Sequence, residues 1–161
     1  MNQLIKKSIE LRGVGEILAS IELLKEIIVK DPNNAQANYQ CAWGHDVLGK
    51  EVEAIPYYEK AIANKLEGKE LEGAYLGLGS TYRTIGEYSK SKNLFEKAIS
   101  IFTDNLELQV FYAMTLYNLK EYNKAMELLL KIIATTSMDE NINAYKKAIL
   151  FYSDKLDDKF I

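Results

Sequence analysis

Cysteine, histidine, tryptophan and proline are nearly missing from this chain: one, one, one and two in 161 residues. A lone thiol, Cys41, makes no intrachain disulfide and no cysteine-based zinc site. A lone imidazole, His45, has no second His or Cys with which to share a metal, so no metal site is expected. With prolines only at Pro32 and Pro56, and no β-branched alternation, little interrupts helices. Dense Lys/Arg clusters are absent and the net charge is −3, which excludes a nucleic-acid partner. Long apolar runs are missing too. Lys6, Lys7, Glu10 and Arg12 break up Met1 to Glu16, so no signal peptide is read there, and Leu128-Leu129-Leu130 is far too short to span a bilayer. No membrane partner is expected, and the protein reads as cytoplasmic. Finally, there is no glycine-rich phosphate loop and no nucleophile–base pair. The reading is therefore not an enzyme, with no cofactor and no catalytic residue.

What the sequence has is apolar residues, 48% of the total, at helical spacing nearly everywhere. That predicts an all-α chain, long enough for one soluble domain with a real core over 1–161.

The pattern is also periodic. Residues 72–105 read Tyr75-x2-Leu78-Gly79-x2-Tyr82, then Gly86, Tyr88, Phe95 and Ala98. Gly79 sits between bulky neighbours, where a second helix can come close, and Gly86 marks a turn. Residues 35–71 carry Cys41-Ala42-x2-His45, Gly49, Ala54-x3-Tyr58 and Ala61, with Pro56 near the first turn of the second helix. Residues 106–139 carry Tyr112-Ala113-x2-Leu116, Tyr122, Ala125-x3-Leu129 and Ile132, with Leu119-Lys120-Glu121 at a turn that lacks glycine. Residues 1–34 are a looser copy, with Leu4, Ser8 and Leu11, a turn at Gly13 and Gly15, and Asp31-Pro32-Asn33-Asn34 as turn and cap. The step from Ala35 to Glu72 is three residues longer than that from Glu72 to Leu106, which predicts an extra helical turn around Asn64 to Lys69. From Asp139 a last amphipathic helix, about 140–155, places Ile142, Tyr145, Ile149 and Tyr152 on one stripe.

This pattern resembles the tetratricopeptide repeat (TPR), W-x2-L-G-x2-Y, then A-x3-F, then P. Tyr75 stands in for the Trp, Ser91 for the first Ala and Thr103 for the Pro. The resemblance implies a right-handed superhelical α-solenoid of about four helix pairs plus a C-terminal capping helix. It also implies protein or peptide partners, bound in a concave groove lined by the first helix of each repeat. Carried onto this chain, the lining residues are Tyr39, Trp43, Asp46 and Val47, then Leu76, Ser80 and Arg83, then Val110, Met114 and Tyr117, with Ile5, Ile9 and Arg12 from the first repeat. The family's carboxylate clamp of Lys, Asn and Arg is not matched, because Ile9 and Trp43 stand where it wants Asn. The groove reads instead as apolar and aromatic, with Arg83 and Asp46 as polar fixtures, suited to an amphipathic helix or extended peptide. Tyr39 and Trp43 equally suit packing between neighbouring helices.

Two single residues read as structural: His45 as a core or edge histidine, Cys41 as a buried inert thiol. The last helix offers a second kind of site. Leu150 and Phe151 fall off its packing stripe, with Phe160 and Ile161 beyond, and such an apolar surplus suits a homodimer face. Two readings therefore stand: a peptide-binding interaction module, and a self-associating structural unit.

Overall fold

In a computed structural model, described over residues 2–160, ten helices follow one another. They are α1 (Asn2–Gly13), α2 (Ile17–Lys30), α3 (Ala35–Val47), α4 (Glu51–Ala63), α5 (Gly68–Thr84), α6 (Tyr88–Ile101), α7 (Leu106–Asn118), α8 (Tyr122–Thr136), α9 (Glu140–Ala144) and α10 (Lys146–Tyr152). Met1 and Ile161 lie outside the described residues. The chain forms two compact units, Met1–Leu94 and Phe95–Ile161.

The helix pairs are joined by one repeated turn. The N–H groups of Gly15, Gly49, Gly86 and Lys120 each donate three residues back, to the carbonyls of Arg12, Asp46, Arg83 and Tyr117. The N–H of the next residue then reaches five back in all four turns, to Leu11, His45, Tyr82 and Leu116. This is the Schellman closure, which needs a left-handed residue at its corner. Gly15, Gly49 and Gly86 supply it at φ +87°, +66° and +86°, and Lys120 supplies it at +64°. A lysine there carries a steric penalty that glycine lacks. Lys120→Gly is accordingly expected to stabilise the protein by about 0.5–1 kcal/mol; a lower urea midpoint for the variant would contradict the strain argument.

Side chains cap several helix starts, one of them at the Asn34 position that the sequence marks. Asn34 accepts the Ala37 N–H at 2.9 Å, and Asn105 accepts the Leu108 N–H at 3.0 Å. Inside the pairs, small residues meet at a fixed interval of twelve. Ser20 Oγ donates to the Ser8 carbonyl at 2.7 Å, and Ser91 Oγ to the Gly79 carbonyl at 2.8 Å. In the other two pairs Ala42 and Ala54, and Ala113 and Ala125, share a core cluster instead. The helices approach over these positions because nothing larger stands between them.

In the first unit one cluster joins Ile5, Ile21, Leu24, Ile27, Ala37 and Cys41 across α1, α2 and α3. A second joins Tyr39, Ala42, Ala54, Tyr58, Ala61, Leu66, Ala74, Leu78 and Tyr82 across α3, α4 and α5. In the second unit Ala113, Leu116 and Ala125 are covered by Tyr112, Leu128 and Leu129. Helix α5 has 17 residues against 13 each for α3 and α7.

Three expectations need correction. Pro56 is the sixth residue of α4, not part of its first turn, so it removes the N–H that would bond the Val52 carbonyl. The final helix is two short ones, because Tyr145 leaves helical geometry at φ −102°, ψ 8°. Of the predicted stripe, Ile142 and Ile149 are half-buried, whereas Tyr145 and Tyr152 are exposed. Ile5, placed in the groove by the repeat register, is a core residue of the first unit.

Candidate partner-binding surface

On the first unit, α1, α3 and α5 share a polar ladder beside an exposed indole. Arg12 on α1 donates from Nη1 to the Gln40 carbonyl at 3.2 Å and from Nη2 to Gln40 Oε1 at 2.7 Å. Gln40 Nε2 in turn donates to Glu70 Oε1 on α5 at 3.0 Å, and Gln36 Nε2 reaches the same oxygen at 3.1 Å. The Arg12 guanidinium also lies over the Trp43 ring, 3.9 Å from its centroid. Partial burial pulls the Arg12 pKa below its ordinary value, against the opposing influence of Tyr39 and Tyr58, yet a guanidinium stays charged at any working pH. Trp43 is 43% exposed. Its ring is thus held by a cation–π contact while much of it stays exposed.

The other expected lining residues divide. Tyr39 is only 8% exposed and lies between Trp43 and Tyr58, with centroids 6.0 and 6.3 Å away. It forms a floor under the indole, not a contact surface. Asp46 is half-buried and accepts the Tyr58 O–H at 2.6 Å and the Thr81 O–H at 3.3 Å. Burial raises its carboxyl pKa, while those two hydrogen bonds pull it back. It fixes α3 to α4 and α5. Leu76, Ser80 and Arg83 on α5 are half-buried, and Val47 and Ile9 are exposed. Gln36, Gln40 and Glu70 were not anticipated. For the two glutamines the signal was the spacing Gln36-x3-Gln40-x2-Trp43, which puts them on one stripe of α3 with the indole.

In the second unit, α7 presents Met114 and Tyr117 to solvent, with Val110 half-buried. Tyr117 meets the ring of Tyr122 edge-on at 5.0 Å.

A family profile described as tetratrico peptide repeat matches residues 35–156. The chain belongs to the tetratricopeptide repeat family. Among curated proteins, this TPR chain is 25% identical over 92 residues to Superkiller protein 3 of Saccharomyces cerevisiae, covering 57% of this chain and 6% of that protein. It is 36% identical over 90 residues to a TPR repeat-containing protein of Methanocaldococcus jannaschii, covering 50% of this chain and 15% of that one. The chain therefore spans only a small part of either relative. Among solved structures, YrrB, a TPR protein with an unusual peptide-binding site, superposes with a TM-score of 0.74 at 16% identity, over 94% of this chain and 77% of its own. MamA superposes with a TM-score of 0.75 at 20% identity, over 96% and 88%. At these identities the likeness shows the fold. The TPR fold in general mediates protein–protein interaction, and its members are in general non-catalytic scaffolds. Among the described residues, no helix is long and apolar enough to cross a membrane.

Elsewhere in this TPR chain, Cys41 is buried, and burial pushes its thiol up to about 11, far from the reactive range. His45 is buried as well and stacks on Tyr57. At the C-terminal end Leu150 is half-buried and Phe151 is 52% exposed. Phe151, Tyr152 and Phe160 form a ring cluster, with centroids 5.0, 6.1 and 5.5 Å apart, and the Lys155 ammonium lies 4.8 Å from the Phe151 centroid. Ile161, grouped with them from the sequence, is outside the described residues.

Proposed function

We propose that this TPR chain binds a peptide or helix of a partner protein on the α1–α3–α5 face of its first unit, with Trp43 as the anchor contact. The observation that carries this reading is the chain's only tryptophan, exposed yet fixed. Arg12 grips one face of the indole, and Arg12 is itself tied to Gln40, so little side-chain freedom remains to be lost on binding. Large aromatic side chains in such settings dominate interface energetics. The mechanism is binding alone. A partner's apolar side chain covers the exposed part of the indole, and Ile9 and Val47 extend the apolar strip along neighbouring turns. Gln36, Gln40 and Glu70 bound it with polar groups that hold the partner's backbone in register. Asp46, Ser80 and Arg83 belong to the same unit, and Val110, Met114 and Tyr117 are a separate candidate surface on the second unit.

Affinity capture compares wild type with Trp43→Glu, and the sole indole serves as a fluorescence reporter for any captured peptide. The expected result is loss of at least one partner from the variant, and an emission shift when that partner's segment is added to wild type. Identical capture by both proteins would remove Trp43 from the interface.

A second reading rests on the terminal ring cluster. Three aromatic rings gathered at one surface suit a homodimer through α10, with Leu150 and Phe151 at its centre. Phe151→Glu is then expected to convert a wild-type dimer into a folded monomer in sedimentation. A wild type that is monomeric throughout its soluble concentration range would exclude it.

A further inference from the structure

Glu70, in the first turn of α5, ends the ladder that runs from Trp43 through Arg12 and Gln40. Its partners are all neutral. The Gln36 and Gln40 amides donate to Oε1 at 3.1 and 3.0 Å, and Oε2 takes no hydrogen bond among the described residues. The Tyr39 hydroxyl is near enough for Glu70 to raise its pKa, second to burial and against Arg12, so it too is uncharged. No cation answers this carboxylate. Lys69, next in sequence, is turned to Glu72 at 2.9 Å. Arg12 directs both terminal nitrogens to Gln40, which stands between it and Glu70. Arg83 lies more than three turns further along α5, roughly 20 Å away on the helix axis. Asp46 on the same face is likewise bonded to hydroxyls, those of Tyr58 and Thr81. Two amides from α3 also fix the Glu70 side chain. A cation docking on Oε2 therefore meets a preorganised acceptor and gives up little freedom in ordering it.

We propose that the partner segment bound on this face carries a basic side chain, lysine or arginine, close to its apolar anchor, and that this cation pairs with Glu70 Oε2. The inference rests on the Trp43 reading and adds the partner's charge to it. The anchor covers the indole, and the basic side chain lays its methylene stem along the ladder while its charged head reaches Glu70. An acidic segment is rejected, because its carboxylate would meet Glu70 and Asp46 with no uncommitted cation between them. Arg12 does not reverse that preference, since Gln40 and the indole already engage it. The pairing is electrostatic, so affinity falls as sodium chloride is added.

A random peptide library displayed on phage is selected in parallel on wild type, Glu70→Gln and Trp43→Ala. Glutamine keeps an Oε1 for the two amides, so the ladder is retained, and a far-UV spectrum verifies the fold. On wild type the expected clones pair a large apolar residue with Lys or Arg. On Glu70→Gln the basic residue drops out while the apolar one stays. One wild-type clone lacking tryptophan is then made as a free peptide and titrated, with the sole indole of the protein as fluorescence reporter. Exchanging its Lys for norleucine, or its Arg for citrulline, is expected to weaken binding to wild type about tenfold, the loss of one hydrogen bond between charged groups. The same exchange leaves binding to Glu70→Gln nearly unchanged. Wild-type clones free of basic residues, or an equal loss on both proteins, would overturn the pairing with Glu70 while the Trp43 reading stands. The same clones on Trp43→Ala as on wild type, or no enrichment on wild type, would remove the face itself and this inference with it.

Discussion

Gly77→Leu is expected to destabilise the protein by about 3–5 kcal/mol. A Cβ at Gly77 would overlap the Tyr58 hydroxyl and Cζ and stand 2.9 Å from Cε1. Tyr58 cannot simply swing aside. It is 2% exposed, and its hydroxyl donates to Asp46 at 2.6 Å. Overpacking alone accounts for about 1–3 kcal/mol. Pulling the tyrosine off a half-buried carboxylate adds about 1.5–3 kcal/mol, because Asp46 keeps its charge and loses its shorter donor. Urea denaturation followed by far-UV circular dichroism measures the sum. Gly13→Ala is the control, since an added Cβ there meets no atom within 4 Å. An unchanged midpoint for Gly77→Leu would mean that α4 and α5 do not approach as closely as described.

Leu24→Ala is the second large effect, about 3 kcal/mol within a range of about 2–5. Leu24 is 0% exposed and sits in the cluster that ties α1 and α2 to α3. Its neighbours Ile5, Ile21 and Ile27 are held by three different turns of two helices, so they collapse poorly into the space left behind. The exposed Leu18 on the same helix gives the comparison. Calorimetry should show Leu24→Ala melting well below wild type and Leu18→Ala close to it. Equal shifts for the two would place Leu24 outside the core.

The repeats were legible because their marks are local. Turn glycines, the cap at Asp31 to Asn34 and the helical spacing of apolar residues can each be counted along the sequence. Where a mark was missing, as at Lys120, the flanking pattern still located the turn and the backbone adopted the same corner. Contacts between helices were less visible. Gly79 stood out within its motif, while Gly73 and Gly77, one turn apart on α5, receive the hydroxyl ends of Tyr39 and Tyr58 and carried no such flag. Asp46 fell on the stripe assigned to partner contacts, but its carboxylate is bonded to Tyr58 and Thr81, a pairing across three helices that no spacing rule reveals. The break at Tyr145 follows no glycine or proline, so a single uninterrupted stripe was the natural reading. Pro56 shows the converse: its effect depends on how far into α4 it lies, and the boundary of that helix decides it.

The side-chain ladder from Arg12 through Gln40 to Glu70 has a consequence for how the molecule opens. In a linear array each helix pair touches only its neighbours and can open by itself. Here α1 is fastened through α3 to α5 by charged and amide groups that release together: losing Glu70 from Gln40 frees the amide that Arg12 depends on. Amide-hydrogen exchange in α1 should then follow that in α5, the first unit opening as one cooperative body instead of pair by pair.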